Sequence, residues 1–506
     1  MRIVIASPEA VPFSKTGGLA DVAGTLFREY RKAGLDAFLM VPLYKSTREA
    51  VGDRLRDTGV TLDIPAGPVT RRCGVYTLRT EKYGSGPSVE GNIGGGRVFF
   101  VENEDLFGRE ELYGTALGDY PDNAERFIVF SRGVLEICRT LRLSPHIIHC
   151  NDWQTGLIPY YLKTAYHGDG AFRKAKTVMT IHNLGYQGLF PPSVMDVAGL
   201  GRDHFHPGAV EFYGNVNFLK AGIIAADAVT TVSPTYAREI LTPEFGFGLD
   251  GVLRKRSGDL TGILNGIDDS EWNPLTDAHL PASFSSRDLS GREACRQELR
   301  ASTGLGDSEG PLLCFIGRLS SQKGIELLID VMPALMRAGA QFVVLGKGED
   351  IYQRRLADLS GKFPGAMHMS LGFNEPLAHL CYAGSDIFLM PSRYEPCGLG
   401  QLIAMRYGSI PVATMTGGLS DTISDVSGQA EILFCDELLE DVKGTGFLVR
   451  EYAPEALLGT VKKAICVFRK ARPSWRKIVL NAMDQDFSWS RSARLYGDLY
   501  QRLAGA

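Results

Sequence analysis

Four short stretches of this 506-residue chain concentrate side chains that could do chemistry. The segment Gly317–Gly324 holds two cations, Arg318 and Lys323, in one loop, and Pro391–Gly400 sets Glu395 and Cys397 just before Gly398, Leu399 and Gly400. Lys15 precedes Gly17, Gly18 and Asp21 where a strand hands over to a helix, and His182 and Asn183 follow the apolar run Thr177–Met179. One cation about 4 Å from a phosphate oxygen contributes about 4 kcal/mol at an effective dielectric near 20, before desolvation. Two would ease the departure of a diphosphate without a metal, because a leaving group that gains charge must have that charge stabilised. Glycines let backbone amides approach an anion, and a helix start adds partial positive charge. Glu395 can bind sugar hydroxyls, support an oxocarbenium-like centre, or serve only as a cap or ion-pair partner. His182 reads either as a structural histidine or as a residue of a ligand crevice. Cys397, beside an anion pocket, is either activated by nearby positive charge or an inert buried thiol.

The elements that must position these residues follow an α/β grammar. Arg2–Ala6 is a short apolar run, hence a strand; a Gly-Gly loop follows, then a helical stretch over about Leu19–Ala33, a stop at Gly34 and a strand over Asp36–Val41. The pattern restarts with a strand at Pro311–Ile316, the loop Gly317–Gly324, a helix over Ile325–Arg337 and a strand over Ala340–Leu345. Further strands are expected at Ile387–Met390 and Ile410–Ala413, with a helical run Gln401–Tyr407 between them. Strand–helix alternation of this kind predicts parallel, doubly wound sheets, here two Rossmann-like halves whose ligand loops share a crevice if the halves face one another. Ser490–Leu503 has the periodicity of an amphipathic helix, and the glycine-rich stretch Gly84–Gly96 reads as a surface loop. Thr416–Asp421 repeats the Thr-Gly-Gly-Leu-x-Asp order of Thr16–Asp21 in the other half.

Composition excludes several classes. Lys and Arg number 54 against 58 Asp and Glu, a net charge of −4, so no global basic field draws nucleic acid or an anionic membrane. The first strand lacks the G-x-G-x-x-G dinucleotide fingerprint, and G-x-x-x-x-G-K-[ST] is absent, which counts against a dehydrogenase and a P-loop NTPase. The nine cysteines are scattered and never form a C-x-x-C pair, as expected of reduced cytosolic thiols. Only four apolar residues follow Met1-Arg2, too few for a secretory leader, and no apolar run is long enough to span a membrane, so a soluble, cytoplasmic protein is expected.

Taken in order along the chain, these motifs resemble the bacterial glycogen synthases and plant starch synthases. The resemblance rests on Lys15–Val22, His182–Gly188, Arg318 with Lys323, Glu395–Leu399 and Thr416–Asp421, joined by Asn151-Asp152-Trp153, Ser233–Glu239, Leu264–Gly266 and Phe487–Trp489. It covers residues 15 to 489 and implies an α/β protein of the GT-B fold: an N-terminal Rossmann-like domain over 1–265, a C-terminal one over 266–485, and a last helix over 486–506 crossing back to the first. The implied activity is transfer of glucose from ADP-glucose to the non-reducing end of an α-1,4-glucan such as glycogen, with retention and without metal or cofactor. Arg318 and Lys323 would neutralise the donor diphosphate, Glu395 would serve the glucosyl centre, and His182 and Asp152 would lie near the sugar. Lys15, Gly18, Asp21, Asn183, Tyr186, Asn265, Cys397, Gly398, Leu399 and Gly400 would line the donor and acceptor sites, and Phe373 would stack on the adenine.

Three positions depart from the family pattern. Gly400 replaces a common threonine, Phe373 a frequent tyrosine, and Ile403 a carboxylate that usually grips ribose. Weaker donor binding and an unchanged reaction are therefore expected. Three rival readings remain at this level: a silent glucan-binding or regulatory protein that uses aromatics such as Tyr113, Tyr120, Trp153 and Tyr186, a metal-dependent transferase using Asp484-Gln485-Asp486, and a phosphorylase.

Overall fold

The computed structural model describes residues 1–79, 97–115, 118–372, 374–426 and 442–505. The Gly84–Gly96 stretch and Phe373 lie outside the described residues. The chain forms two compact units, one of Met1–Val232, Ala237–Ile263 and Trp489–Ala506, the other of Ser233–Tyr236 and Leu264–Ser488.

The first unit is built on strands β1 (Arg2–Ala6), β2 (Asp36–Pro42), β3 (Leu55–Ala66), β4 (Val69–Leu78), β5 (Val98–Glu102), β6 (Ile147–Asn151), β7 (Lys176–Ile181), β8 (Ala228–Thr231) and β9 (Leu260–Gly262). Their order in the sheet is β9-β8-β7-β6-β1-β2-β5-β4-β3. All pairings are parallel except the β3–β4 and β4–β5 ladders. Ile3, Val4, Ile5 and Ala6 are all fully buried, as the unbroken apolar run of β1 requires of a strand covered on both faces. From β1 the chain first builds outward through β2 and later returns to lay β6 on the other side. The switch point therefore lies between β1 and β6, at their carboxyl ends. The first helix, Gly18–Lys32, packs its apolar face on this sheet. The last helix, Trp489–Ala504, is amphipathic as its periodicity predicts. Its buried side chains include Trp489, Tyr496 and Tyr500, which join the same core, and the Tyr500 hydroxyl lies 2.6 Å from His149 Nδ1.

The second unit carries β10 (Leu312–Ile316), β11 (Gln341–Gly346), β12 (Met367–Leu371), β13 (Ile387–Met390), β14 (Ile410–Thr414) and β15 (Phe447–Val449). All are parallel, in the order β12-β11-β10-β13-β14-β15. Here the switch point lies between β10 and β13, and the loops leaving their carboxyl ends are Gly317–Gly324 and Pro391–Gly400. The fold class expected from the sequence, two Rossmann-like α/β sheets, is the one observed. The β3–β4 hairpin, which turns through Gly67 at φ +66°, is an addition that the strand–helix alternation does not announce.

Seven cysteines among the described residues are free and buried. No helix among the described residues is long and apolar enough to cross a membrane.

Candidate functional site

In the second unit the two loops at the switch point meet through an ion pair. Lys323 Nζ lies 2.6 Å from Glu395 Oε2, and the Ser392 hydroxyl donates to the same oxygen at 2.9 Å. The Glu395 side chain is 6% exposed and that of Lys323 21%, so the carboxylate is held inside while the ammonium keeps some contact with water. Arg318 is exposed, and its Nη2 donates to Gln322 Oε1 at 3.3 Å. The two cations of one loop thus have different partners: Lys323 pairs with Glu395, and Arg318 is exposed and bonds Gln322.

Close backbone approach fixes this arrangement. Gly324, at φ +65°, sits where a Cβ would come 1.8 Å from the Pro391 carbonyl oxygen, and a Cβ on Gly417 would come 1.9 Å from that of Glu395. Only glycine lets the three loops after β10, β13 and β14 lie against one another. The Arg393 N–H donates to the Gln322 carbonyl at 2.9 Å, and the Gly418 N–H to that of Glu395 at 3.0 Å. The repeated Thr-Gly-Gly-Leu-x-Asp stretch is thereby accounted for as packing in this unit. Its Asp421 accepts from the backbone and hydroxyl of Thr235, both at 2.7 Å.

Of the two readings of Cys397, the structure favours the inert buried thiol. Its thiol is buried, and burial pushes it up to about 12. The charges that act on it are the carboxylates of Glu395 and Asp421, which push the same way, against a backbone N–H from Asn265 that acts in the other direction. No cation is among the groups that act on this thiol. The Asn265 side-chain oxygen is buried without a hydrogen-bond partner among the described residues. Gly398 has φ +75°, and Leu399 caps the helix Gly400–Arg406. A Cβ on Gly400 would lie 3.1 Å from Phe388 Cε1, so the space that a threonine needs is already tight. Ile403 is 6% exposed and belongs to the core.

In the first unit the loops after β1, β6 and β7 carry the other residues singled out. Lys15 Nζ pairs with Asp21 Oδ1 at 2.8 Å near the surface, and Gly18 opens the first helix. The loop after β1 also carries Glu9, which sequence reasoning missed. Glu9 is 3% exposed, and its Oε2 accepts from the backbone N–H of Thr16 and from the Thr16 hydroxyl, the latter at 2.8 Å. Burial pushes Glu9 up to about 7. The signal that could have found it is an acid three residues past the apolar run Ile3–Ala6 of the first strand, where an α/β sheet opens its ligand edge.

Asp152 follows β6 with φ +56°, a left-handed backbone that is uncommon outside glycine and marks a held conformation. Its Oδ1 accepts the His182 N–H at 2.8 Å, and burial pushes this acid up to about 7 as well. His182 Nε2 lies 2.9 Å from Asn151 Oδ1, while Asn151 Nδ2 donates to the Ala6 carbonyl at 3.0 Å. Asn151 therefore offers an acceptor, so His182 carries its proton on Nε2 and keeps a lone pair on Nδ1. Burial holds this imidazole down at about 3, neutral at physiological pH. The Asn183 side chain accepts the Gly185 N–H at 3.0 Å and shapes the following turn.

Of the aromatics considered as sugar platforms, Tyr186 is 48% exposed. Trp153 is packed among Phe127, Phe190 and Phe218 instead, and a Cβ on Gly188 would touch its ring at 2.4 Å. Tyr113 lies against Phe127, and Tyr120 takes the guanidinium groups of Arg109 and Arg126 over its ring. In the second unit Asp486 accepts the Ser488 N–H at 2.9 Å, a local turn contact.

Residues 2–255 match the family model described as the starch synthase catalytic domain, and residues 310–465 match that of glycosyl transferases group 1. A glycogen synthase of Thermodesulfovibrio yellowstonii is 45% identical, the alignment covering 100% of this chain and 98% of the relative. One from an Anaeromyxobacter species is 44% identical, with 100% of each covered. Among solved structures, the catalytic domain of starch synthase IV from Arabidopsis thaliana, bound to ADP and acarbose, superposes with a TM-score of 0.87 at 32% identity. That match covers 100% of this chain and 99% of the plant domain.

Proposed function

The chain belongs to the glycogen and starch synthase family of glycosyltransferases, and on that premise we propose that it transfers glucose from ADP-glucose to the non-reducing end of an α-1,4-glucan, with retention at the anomeric carbon. The observation that carries this reading is the Lys323–Glu395 pair at the carboxyl edge of β10 and β13, where an open parallel sheet receives its ligand. A nucleotide sugar brings a diphosphate that gains charge as the glucosyl bond breaks. In our reading Lys323 and Arg318 neutralise that charge, while the amides of Leu399 and Gly400 take further phosphate oxygens.

Glu395, already tied to Lys323 and Ser392, acts on the glucosyl hydroxyls and on the positive charge that develops at the anomeric carbon. We prefer a displacement in which acceptor and leaving phosphate share one face of the sugar and the phosphate oxygen takes the acceptor proton. Trapping a glucosylated carboxylate on the enzyme would overturn that preference. In the first unit, His182 with its Nδ1 lone pair can accept from a sugar hydroxyl and, being neutral, adds no charge that opposes the developing cation. Asp152 fixes the His182 backbone, and Lys15 and Asp21 contribute at the loop after β1.

The test is release of ADP from ADP-glucose in the presence of glycogen, run beside UDP-glucose as donor, with chain extension read separately. ADP release that depends on glycogen, together with lengthening of the glucan, is expected. Tight glucan binding with no turnover of either donor would defeat the proposal.

A further inference from the structure

A second cluster in the 264–488 unit uses none of the residues assigned above. The helix Glu375–Gly384 places Glu375 and His379 four residues apart, hence on one face. His279 comes from the irregular stretch before the unit's first sheet strand. One possible ligand atom from each of His279, Glu375 and His379 lies within 4.8 Å of the others.

His379 makes this more than a surface cluster. Its side chain is 2% exposed, and its Nδ1 lies 2.7 Å from Asp277 Oδ2. That oxygen also accepts the Tyr407 hydroxyl at 2.6 Å. A carboxylate can only accept here, so the imidazole proton sits on Nδ1 and the lone pair on Nε2. Nε2 is buried and has no hydrogen-bond partner among the described residues. Trp272 stacks flat on the ring, centroids 4.1 Å apart and planes 14° apart, and the His279 ring lies 4.6 Å away. A buried nitrogen lone pair left without a donor carries the full cost of its lost hydration, and a cation held between the three groups would remove that cost.

We infer that His279, Glu375 and His379 bind a divalent transition-metal ion of the zinc class, with Asp277 as the outer carboxylate that orients His379. Two imidazoles and one carboxylate form a donor set suited to zinc, cobalt or nickel, and less suited to magnesium or calcium, which prefer oxygen throughout. The carboxylate–histidine–metal relay fixes both the tautomer and the ring, as the Asp277 contact does here. Ligand atoms at about 2.1 Å around a tetrahedral ion sit about 3.4 Å apart. The observed spread closes by rotation of His279 and Glu375, both exposed, onto His379, which is fixed. The bound ion would tie the 272–279 segment to the helix Glu375–Gly384.

The test uses the untagged full-length protein, stripped with chelator and titrated with Zn²⁺ by calorimetry, then with Co²⁺ by visible absorption. One equivalent of Zn²⁺ should bind, raise the thermal midpoint, and be replaceable by Co²⁺ with the absorption of a four-coordinate site. His279→Ala and Glu375→Gln alter exposed side chains, so the metal-free variants should keep the wild-type circular dichroism and thermal midpoint. Each should weaken Zn²⁺ binding by about 10-fold or more and lose the thermal shift. A wild-type Kd weaker than about 100 μM, or uptake that both variants retain, would overturn the inference. Neither readout depends on glucosyl transfer, so its failure and that of the proposed activity are distinguishable.

Discussion

Replacing Lys323 by methionine separates the two tasks given to this side chain, holding Glu395 and drawing off the diphosphate. Breaking a fully buried ion pair from one side costs about 3–5 kcal/mol. Lys323 is 21% exposed, and the Ser392 hydroxyl would still donate to the abandoned carboxylate. The expected loss of stability is therefore smaller, about 2 kcal/mol. The loss in catalysis should be larger. A cation about 4 Å from a phosphate oxygen is worth about 4 kcal/mol at an effective dielectric near 20; with about 1 kcal/mol returned as desolvation, kcat/KM should fall by about two orders of magnitude.

The double variant Lys323→Met/Glu395→Gln is the decisive member of the cycle. It removes the charge left alone in the single variant, so most of the lost stability should return while turnover stays low. Arg318→Ala, on an exposed side chain, should weaken the donor complex with little effect on folding. ADP release at saturating glycogen gives the first quantity, and the urea midpoint gives the second. Turnover within five-fold of wild type in Lys323→Met, or activity that recovers together with stability in the double variant, would show that the pair is structural and refute the reasoning.

Glu9 is pushed up to about 7, so between about pH 4 and 7 the folded protein retains a proton that the unfolded chain has released, and stability falls as pH rises through that window. Glu9→Gln should remove up to about 3 kcal/mol of that fall, leaving the part due to Asp152, which is raised likewise; urea midpoints at pH 5 and 8 that match wild type would contradict this. Gly417→Ala drives a Cβ against the Glu395 carbonyl and should cost about 2–3 kcal/mol and most of the activity, whereas Gly459→Ala, in a helix with nothing within 4 Å of the added carbon, should be neutral or stabilising; equal behaviour in thermal melts would refute the close-approach account. Cys397, buried and raised to about 12, should resist iodoacetamide at pH 7.5 in the native protein and react once unfolded, and rapid native labelling by mass spectrometry would contradict its placement.

The strands and helices around the site were largely legible because α/β elements announce themselves as apolar runs closed by glycine. The helix Ile325–Arg337 and the strand Ile387–Met390 have the bounds expected of them, and the first helix begins one residue earlier than its periodicity suggests. The β3–β4 hairpin was not legible. Its exposed positions alternate with buried ones along strands that carry Asp57, Asp63, Arg71 and Arg72, and charge dilutes the apolar signal at a sheet edge. The loops that bear chemistry were legible for the same reason as the strands, since sheet topology sends the residues after β10 and β13 to one edge. Glu9 was not, because a single acid in a loop differs from a solvated one only through its burial against Thr16, a tertiary fact.

Side-chain partnership is where spacing carries no information. Lys323 and Glu395 lie 72 residues apart, and nothing in either loop says that the ammonium will turn toward the acid while Arg318 bonds Gln322. Cys397 stands two residues from Glu395, beside a candidate anion pocket, so in sequence activation by nearby positive charge is one of its two readings. The glycines at 417 and 418 count against that reading. They admit the loop after β14 so closely that Cys397 is sealed beneath it and meets carboxylates, not cations. A Gly-Gly pair that looked like a ligand cradle in sequence thus acts as a packing device. The same dipeptide at Gly17 and Gly18 meets no such obstacle at Gly17, where nothing lies within 4 Å of an added carbon. The two Thr-Gly-Gly-Leu-x-Asp stretches thus differ in what packs against each loop, which their shared residues do not reveal.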